Sequence, residues 1–136
     1  MVLNASIREA VIKRAKNRCE YCQMHQSLQG GTFHVEHVVP RSRGGLSELD
    51  NLAWAYISCN LHKSDRSELL SPDGNSSIRF FSPRIDAWSE HFAWDDYEVV
   101  AKSEIGQATI TSLHLNDARR IKVRQAEQMF DLFPPG

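Results

Sequence analysis

The stretch FHVEHVVPRSRGGLSELDNLAWAYISCNLHKSD, Phe33 to Asp65, holds most of the groups in this chain that suit chemistry: Glu36, His37, Asn51, Asn60, His62 and Lys63. Thr32 to Val38 alternates and is rich in β-formers, which predicts a strand that places Phe33, Val35 and His37 on one side and His34, Glu36 and Val38 on the other. Pro40 cannot donate to a ladder and ends that strand. A polar loop follows with Gly44-Gly45 at its turn, then a short apolar run, Asn51 to Tyr56, suited to a second antiparallel strand. A helix is predicted from Ile57 or Ser58, carrying Asn60 and Lys63 outward near its start. The unit reads as strand, long loop, strand, helix.

Working outward, Ser6 to Asn17 is predicted as a helix opened by a Ser6–Glu9 capping box, with Ile7, Val11 and Ala15 on its inner face. Arg18-Cys-Glu-Tyr-Cys22 comes directly after it. A redox CxxC sits between a strand and the start of a helix, so this order favours half of a metal knuckle, which Cys59 can join. His25, in the loop that follows, reads as an exposed histidine. Downstream, a strand is predicted over Ile78 to Phe81 and another over Tyr97 to Lys102, with Leu69 to Asn75 as turn. Ser103 is predicted to cap a helix running to about Leu113. A last helix is expected from Asn116 or Asp117, with Ile121, Ala126, Met129 and Phe130 turned inward.

The 136 residues are sized for one domain, expected to span 1–136 with a core at 18–66 and an extension at 67–136. The hydrophobic fraction of 41% is that of a globular chain. No run of about 18 apolar residues is present, so a membrane partner is not expected. Charged residues interrupt the N-terminus too early for a secretory signal, and a cytoplasmic setting is the expectation. The net charge of −1 is unevenly spread: residues 1 to 66 carry nine Lys or Arg against six Asp or Glu, and the remainder seven against eleven. A phosphate-backbone ligand is therefore expected on the N-terminal two thirds, with Arg14, Arg18, Arg41 and Arg43 as its contacts.

Glu36 and the amide oxygen of Asn60 are hard donors suited to magnesium or manganese. His37 is the candidate general base for water attacking a phosphodiester, and Lys63, Arg41 or Arg43 could neutralise the phosphate. Asn51, ahead of the second strand, reads as a tie between the long loop and the first strand. Gly44-Gly45 is a turn and not a phosphate cradle, because no Walker spacing surrounds it.

CxxC, then EHVVPRSRGG, then LDNL, then CNxxK together resemble the HNH endonuclease family of the zinc-knuckle ββα-metal kind. The tail RFFSPRIDAWSEHFAWDD, IGQAT and LHLND resembles that of small stand-alone bacterial members, cyanobacterial ones especially. The resemblance implies an α+β fold with a ββα-metal core, an N-terminal helix and a C-terminal extension of short strands and helices. It places the general base on His37, metal binding on Glu36 and Asn60, the loop-ordering asparagine on Asn51 and a basic residue near the phosphate on Lys63. It further implies DNA as partner, no small-molecule cofactor, and one divalent ion, magnesium or manganese first, with nickel and zinc used by some members. The alternative function is a DNA-binding module that keeps the fold and cleaves little.

The chain departs from this pattern at Tyr56, where relatives carry a fourth knuckle cysteine. Structural zinc takes four soft or imidazole ligands. With only Cys19, Cys22 and Cys59, the expectation is a knuckle kept by packing around the Tyr56 ring. Recruitment of His25 as a fourth ligand is the alternative.

Overall fold

The computed structural model describes residues 4–28, 33–66, 68–71 and 73–135. Its centre is an antiparallel hairpin of β1 (Phe33–His37) and β2 (Leu52–Tyr56), in register Phe33↔Tyr56, Val35↔Trp54 and His37↔Leu52. β2 leads without a break into α2 (Ile57–Lys63). Every residue of β2 is buried, because α1 (Ala5–Ala15) and the cysteine turn cover what the hairpin leaves open. Phe33 packs on Trp54 and Tyr56, with ring centroids 5.9 and 5.7 Å apart.

The cap of α1 differs from expectation. Asn4 Oδ1 accepts the Ile7 amide at 2.8 Å, so the helix begins before Ser6 and Asn4 closes it. Lys16 and Asn17 then take left-handed backbone and turn the chain into the cysteines.

The extension contains β3 (Glu68–Leu70) and β4 (Ser77–Arg79), then α3 (Trp88–His91), β5 (Phe92–Asp95), β6 (Glu98–Ala101), α4 (Glu104–Leu113) and α5 (Ala118–Met129). β3 pairs with β4 and β5 with β6, both antiparallel. β3 overlaps the start of the run expected to be turn, Leu69 to Asn75. Ser103 Oγ caps α4 by accepting the Gly106 amide, and Asp117 caps α5. Met129 and Phe130, expected inward, are exposed; the residues α5 buries are Arg120, Arg124 and Glu127.

The extension closes over the hairpin unit. Trp88 Nε1 donates to the Tyr21 carbonyl at 3.0 Å, and Glu127 accepts the His25 amide at 2.7 Å. Phe81, Phe92, Val99, Leu113 and Leu115 share one buried cluster with Val11, Leu52 and Trp54. The fold is thus α+β, with a strand–loop–strand–helix core flanked by further helices and strands. No described helix is long and apolar enough to cross a membrane.

Candidate active site and cysteine cluster

β1 sets two neighbouring side chains on opposite faces, and this separates their environments. Glu36 turns inward and is 5% exposed. Tyr21 Oη donates to its Oε2 at 2.6 Å, and Lys63 Nζ lies 2.7 Å from Oε1. That ammonium sits off the hydrogen-bonding direction of Oε1, which leaves the oxygen without an aligned donor. Burial pushes the Glu36 carboxyl above its ordinary range, against the opposing pull of Lys63 and Tyr21.

His37 faces outward, and its Nε2 is 2.8 Å from Ser47 Oγ in the long loop. Burial, with the Arg41 charge behind it, holds this imidazole below its ordinary range, so it is neutral at neutral pH. Glu36, His37, Arg41, Asn60, Ser64 and Asp65 line one open cavity of about 310 Å³. The loop that shapes this cavity is tied down by Asn51. Its Oδ1 accepts the Val39 amide at 2.9 Å, and its Nδ2 donates to the carbonyls of Leu46 and Val39 at 2.9 and 3.1 Å. A larger cavity, about 880 Å³, lies between the β3–β4 hairpin and α4. None of the candidate base or metal residues lines it, so it is not the site.

Glu36, His37 and Asn60, whose side chains carry oxygen and nitrogen donors, all line one open cavity. Oε1 of Glu36 is paired with Lys63 but lacks an aligned hydrogen-bond donor, and a hard carboxylate oxygen of this kind suits a divalent ion. Asp65 is a further carboxylate on the rim, unnoticed in the sequence because nothing in LHKSD sets it apart. Ser47 was likewise hidden, since only the folded loop brings it to His37.

Three expected cations are placed differently. Lys63 was expected to reach outward to a phosphate. It is 1% exposed, and its Nζ is held between Glu36 and the Val38 carbonyl, 2.9 Å away. Arg14 donates to the carbonyls of Leu49 and Leu52 at 2.8 and 2.5 Å. Arg18 donates to those of Gln23 and Leu132, also at 2.8 and 2.5 Å. Both arginines join the first helix region to the rest of the fold. Arg41 and Arg43 remain exposed beside the cavity, although Arg43 Nε also donates to the Asp65 carbonyl at 3.3 Å.

Behind the site, the Sγ atoms of Cys19, Cys22 and Cys59 lie within 4.8 Å of one another, all buried, an arrangement able to coordinate a metal ion. His25 is not among them; its Nδ1 is 2.8 Å from Ser27 Oγ. Arg120 is instead the group beside the sulfurs, its Nη1 donating to Cys59 Sγ at 3.0 Å. Burial pushes Cys19 up to about 12 and Cys59 well above the thiol range. Burial acts the same way on Cys22, but hydrogen bonds from Cys19 and Cys59, aided by the Arg120 charge, outweigh it and hold that thiol well below.

Residues 19–66 match the family model described as HNH endonuclease. That segment runs from the first cysteine through α2 and contains every residue of the cavity just described. The match over residues 19–66 is consistent with the HNH family, and the mixed strand–helix arrangement of that segment is the one expected of a ββα-metal core. Among curated proteins, the chain is 25% identical over 117 residues to Septu protein PtuB of Bacillus thuringiensis. The matched stretch covers 85% of this chain and 43% of that relative, so the chain spans less than half of the relative's length. No solved structure matches.

Proposed function

We propose that this chain is a metal-dependent endonuclease that hydrolyses phosphodiester bonds in DNA. The observation that carries this reading is the meeting of Glu36, His37 and Asn60 in one open cavity of the HNH segment, with Arg41 on its wall. Glu36 and Asn60 would hold the ion. When bound, a hard divalent ion supplies Lewis-acid stabilisation to the charge that grows on the phosphoryl and leaving oxygens.

The chain's own residues do the rest. His37, neutral and steadied by Ser47, takes the proton of the attacking water. Arg41 and Arg43 offer positive charge to the phosphate from the rim. Asn51 holds the loop that carries both arginines and Ser47. Lys63 and Tyr21 fix the Glu36 carboxylate from behind, so in this fold Lys63 positions a metal-side residue and does not meet substrate.

A plasmid-nicking assay with magnesium, manganese and nickel tests the reading. His37→Ala is expected to lower cleavage by about 100-fold or more while DNA binding persists. Cutting by purified His37→Ala at the wild-type rate would overturn the assignment. Wild-type protein that binds DNA in chelator yet cuts with none of the three ions would instead mark a DNA-binding module.

A further inference from the structure

The knuckle lacks a fourth cysteine, and α5 supplies a buried cation at the same place. Arg120 is 1% exposed. Beside its bond to Cys59 Sγ, its Nη2 donates to the Leu113 carbonyl at 2.8 Å and to Ser58 Oγ at 3.2 Å. Its guanidinium carbon lies 5.5 Å from the centre of the Tyr56 ring. Tyr56, standing where a fourth ligand would, thus turns a π face to a cation. Among the described residues, the carboxylate that pairs with Arg120 is Asp117, 4.0 Å from Nε and half in solvent. A guanidinium has five donors and no lone pair, so it cannot ligate a metal, but it can hold several sulfur and oxygen acceptors together. The donor set at this cluster therefore does not fit four-coordinate structural zinc.

What the cluster holds in place bears on the cavity. Ser58 and Cys59, both bound by Arg120, immediately precede Asn60 at the start of α2. Cys19 and Cys22 bracket Tyr21, whose hydroxyl fixes Glu36.

We infer that Arg120 closes the Cys19–Cys22–Cys59 cluster in place of a metal ion, and that through the cluster it is a positioning residue for Glu36 and Asn60. The second half rests on the proposed function; the first does not. Tyr56 and Arg120 form one arrangement, in which a residue of the extension holds the cysteine cluster together.

The test uses the full chain and compares Arg120→Ala with Arg124→Ala. Arg124 is a second buried α5 arginine, bound to the Tyr97 and Leu115 carbonyls and not to a sulfur. Wild-type protein is expected to hold well under one zinc per chain by elemental analysis and to melt at the same temperature with or without chelator. Arg120→Ala is expected to melt about 10 °C lower or more. Adding Tyr56→Cys to Arg120→Ala is expected to bring in one zinc per chain and to restore melting in a chelator-sensitive way, which also covers the case in which Arg120→Ala alone fails to fold. Manganese affinity, read by calorimetry, is expected to fall about 10-fold in Arg120→Ala and to stay unchanged in Arg124→Ala. A full zinc per wild-type chain with sulfur neighbours in X-ray absorption overturns the closure, as does a double variant that takes up none. Equal loss of manganese affinity in both single variants overturns the positioning role. Zinc content and melting decide the closure whether or not the protein cuts DNA, so a failure of the nuclease reading remains separate.

Discussion

Glu36 is a buried carboxylate with two partners of unequal kind. A lone carboxylate at 5% exposure would take up a proton to escape the cost of desolvation. Lys63 offsets that cost with a full charge 2.7 Å away, and Tyr21 adds a hydroxyl donor. Such a pair adds little when compared with a well-packed apolar pair, but removing one member strands the other. Lys63→Met is therefore expected to lower unfolding free energy by about 3–5 kcal/mol, read by urea denaturation. Adding Glu36→Gln should recover part of that loss. Strictly additive losses in the double variant would show that the two groups act independently. Tyr21→Phe removes one hydrogen bond and should cost about 1–3 kcal/mol.

At the scale of elements, the connection from Val38 to Asn51 decides whether β1 and α2 share a site. Two residues hold its shape. A Cβ on Gly45 would come within 1.7 Å of the Val39 carbonyl oxygen, backbone that cannot give way. Asn51 contributes three side-chain hydrogen bonds to Val39 and Leu46. Asn51→Ala should cost about 3 kcal/mol at about 1 kcal/mol per bond and speed hydrogen exchange at the Val39 amide. Gly45→Ala should loosen the same loop; unchanged exchange at Val39 in both variants would count against a tied loop. This part of the fold was legible in the sequence because alternation, Pro40 and Gly44-Gly45 are local signals. β3 was not, since Glu68-Leu-Leu70 is too short to show alternation and exists through its pairing with β4. α5 was misread for a different reason. Its inward stripe is Arg120, Arg124 and Glu127, so apolar periodicity points to Met129 and Phe130, which are exposed, in their place. The part of the site carried by Arg120 was hidden with it, because charge on a helix reads as solvent-facing until its partners are known.

On the whole molecule, the same difficulty changes what the charge balance means for DNA. The excess of cations in residues 1 to 66 suggests five phosphate contacts: Arg14, Arg18, Arg41, Arg43 and Lys63. At nearly one released counterion per contact, that count corresponds to a slope of log affinity against log salt of about −3 to −5. In the fold, Arg14, Arg18 and Lys63 donate to carbonyls of their own chain. Arg66 is similarly engaged, by the His62 carbonyl and Ser112 Oγ. Among these cations, Arg41 and Arg43 are the pair left on the rim of the cavity, so the slope should be near −2, measured by fluorescence anisotropy on a short duplex in chelator. Arg41→Ala should make it shallower by about 1 and weaken binding on every duplex alike. Arg14→Ala and Arg18→Ala should leave the slope unchanged and lower the melting temperature, because each removes two bonds that join separate parts of the chain. A steep slope that falls in Arg14→Ala would mean that α1 lies on the duplex, and that its arginine exchanges protein carbonyls for phosphate when DNA binds.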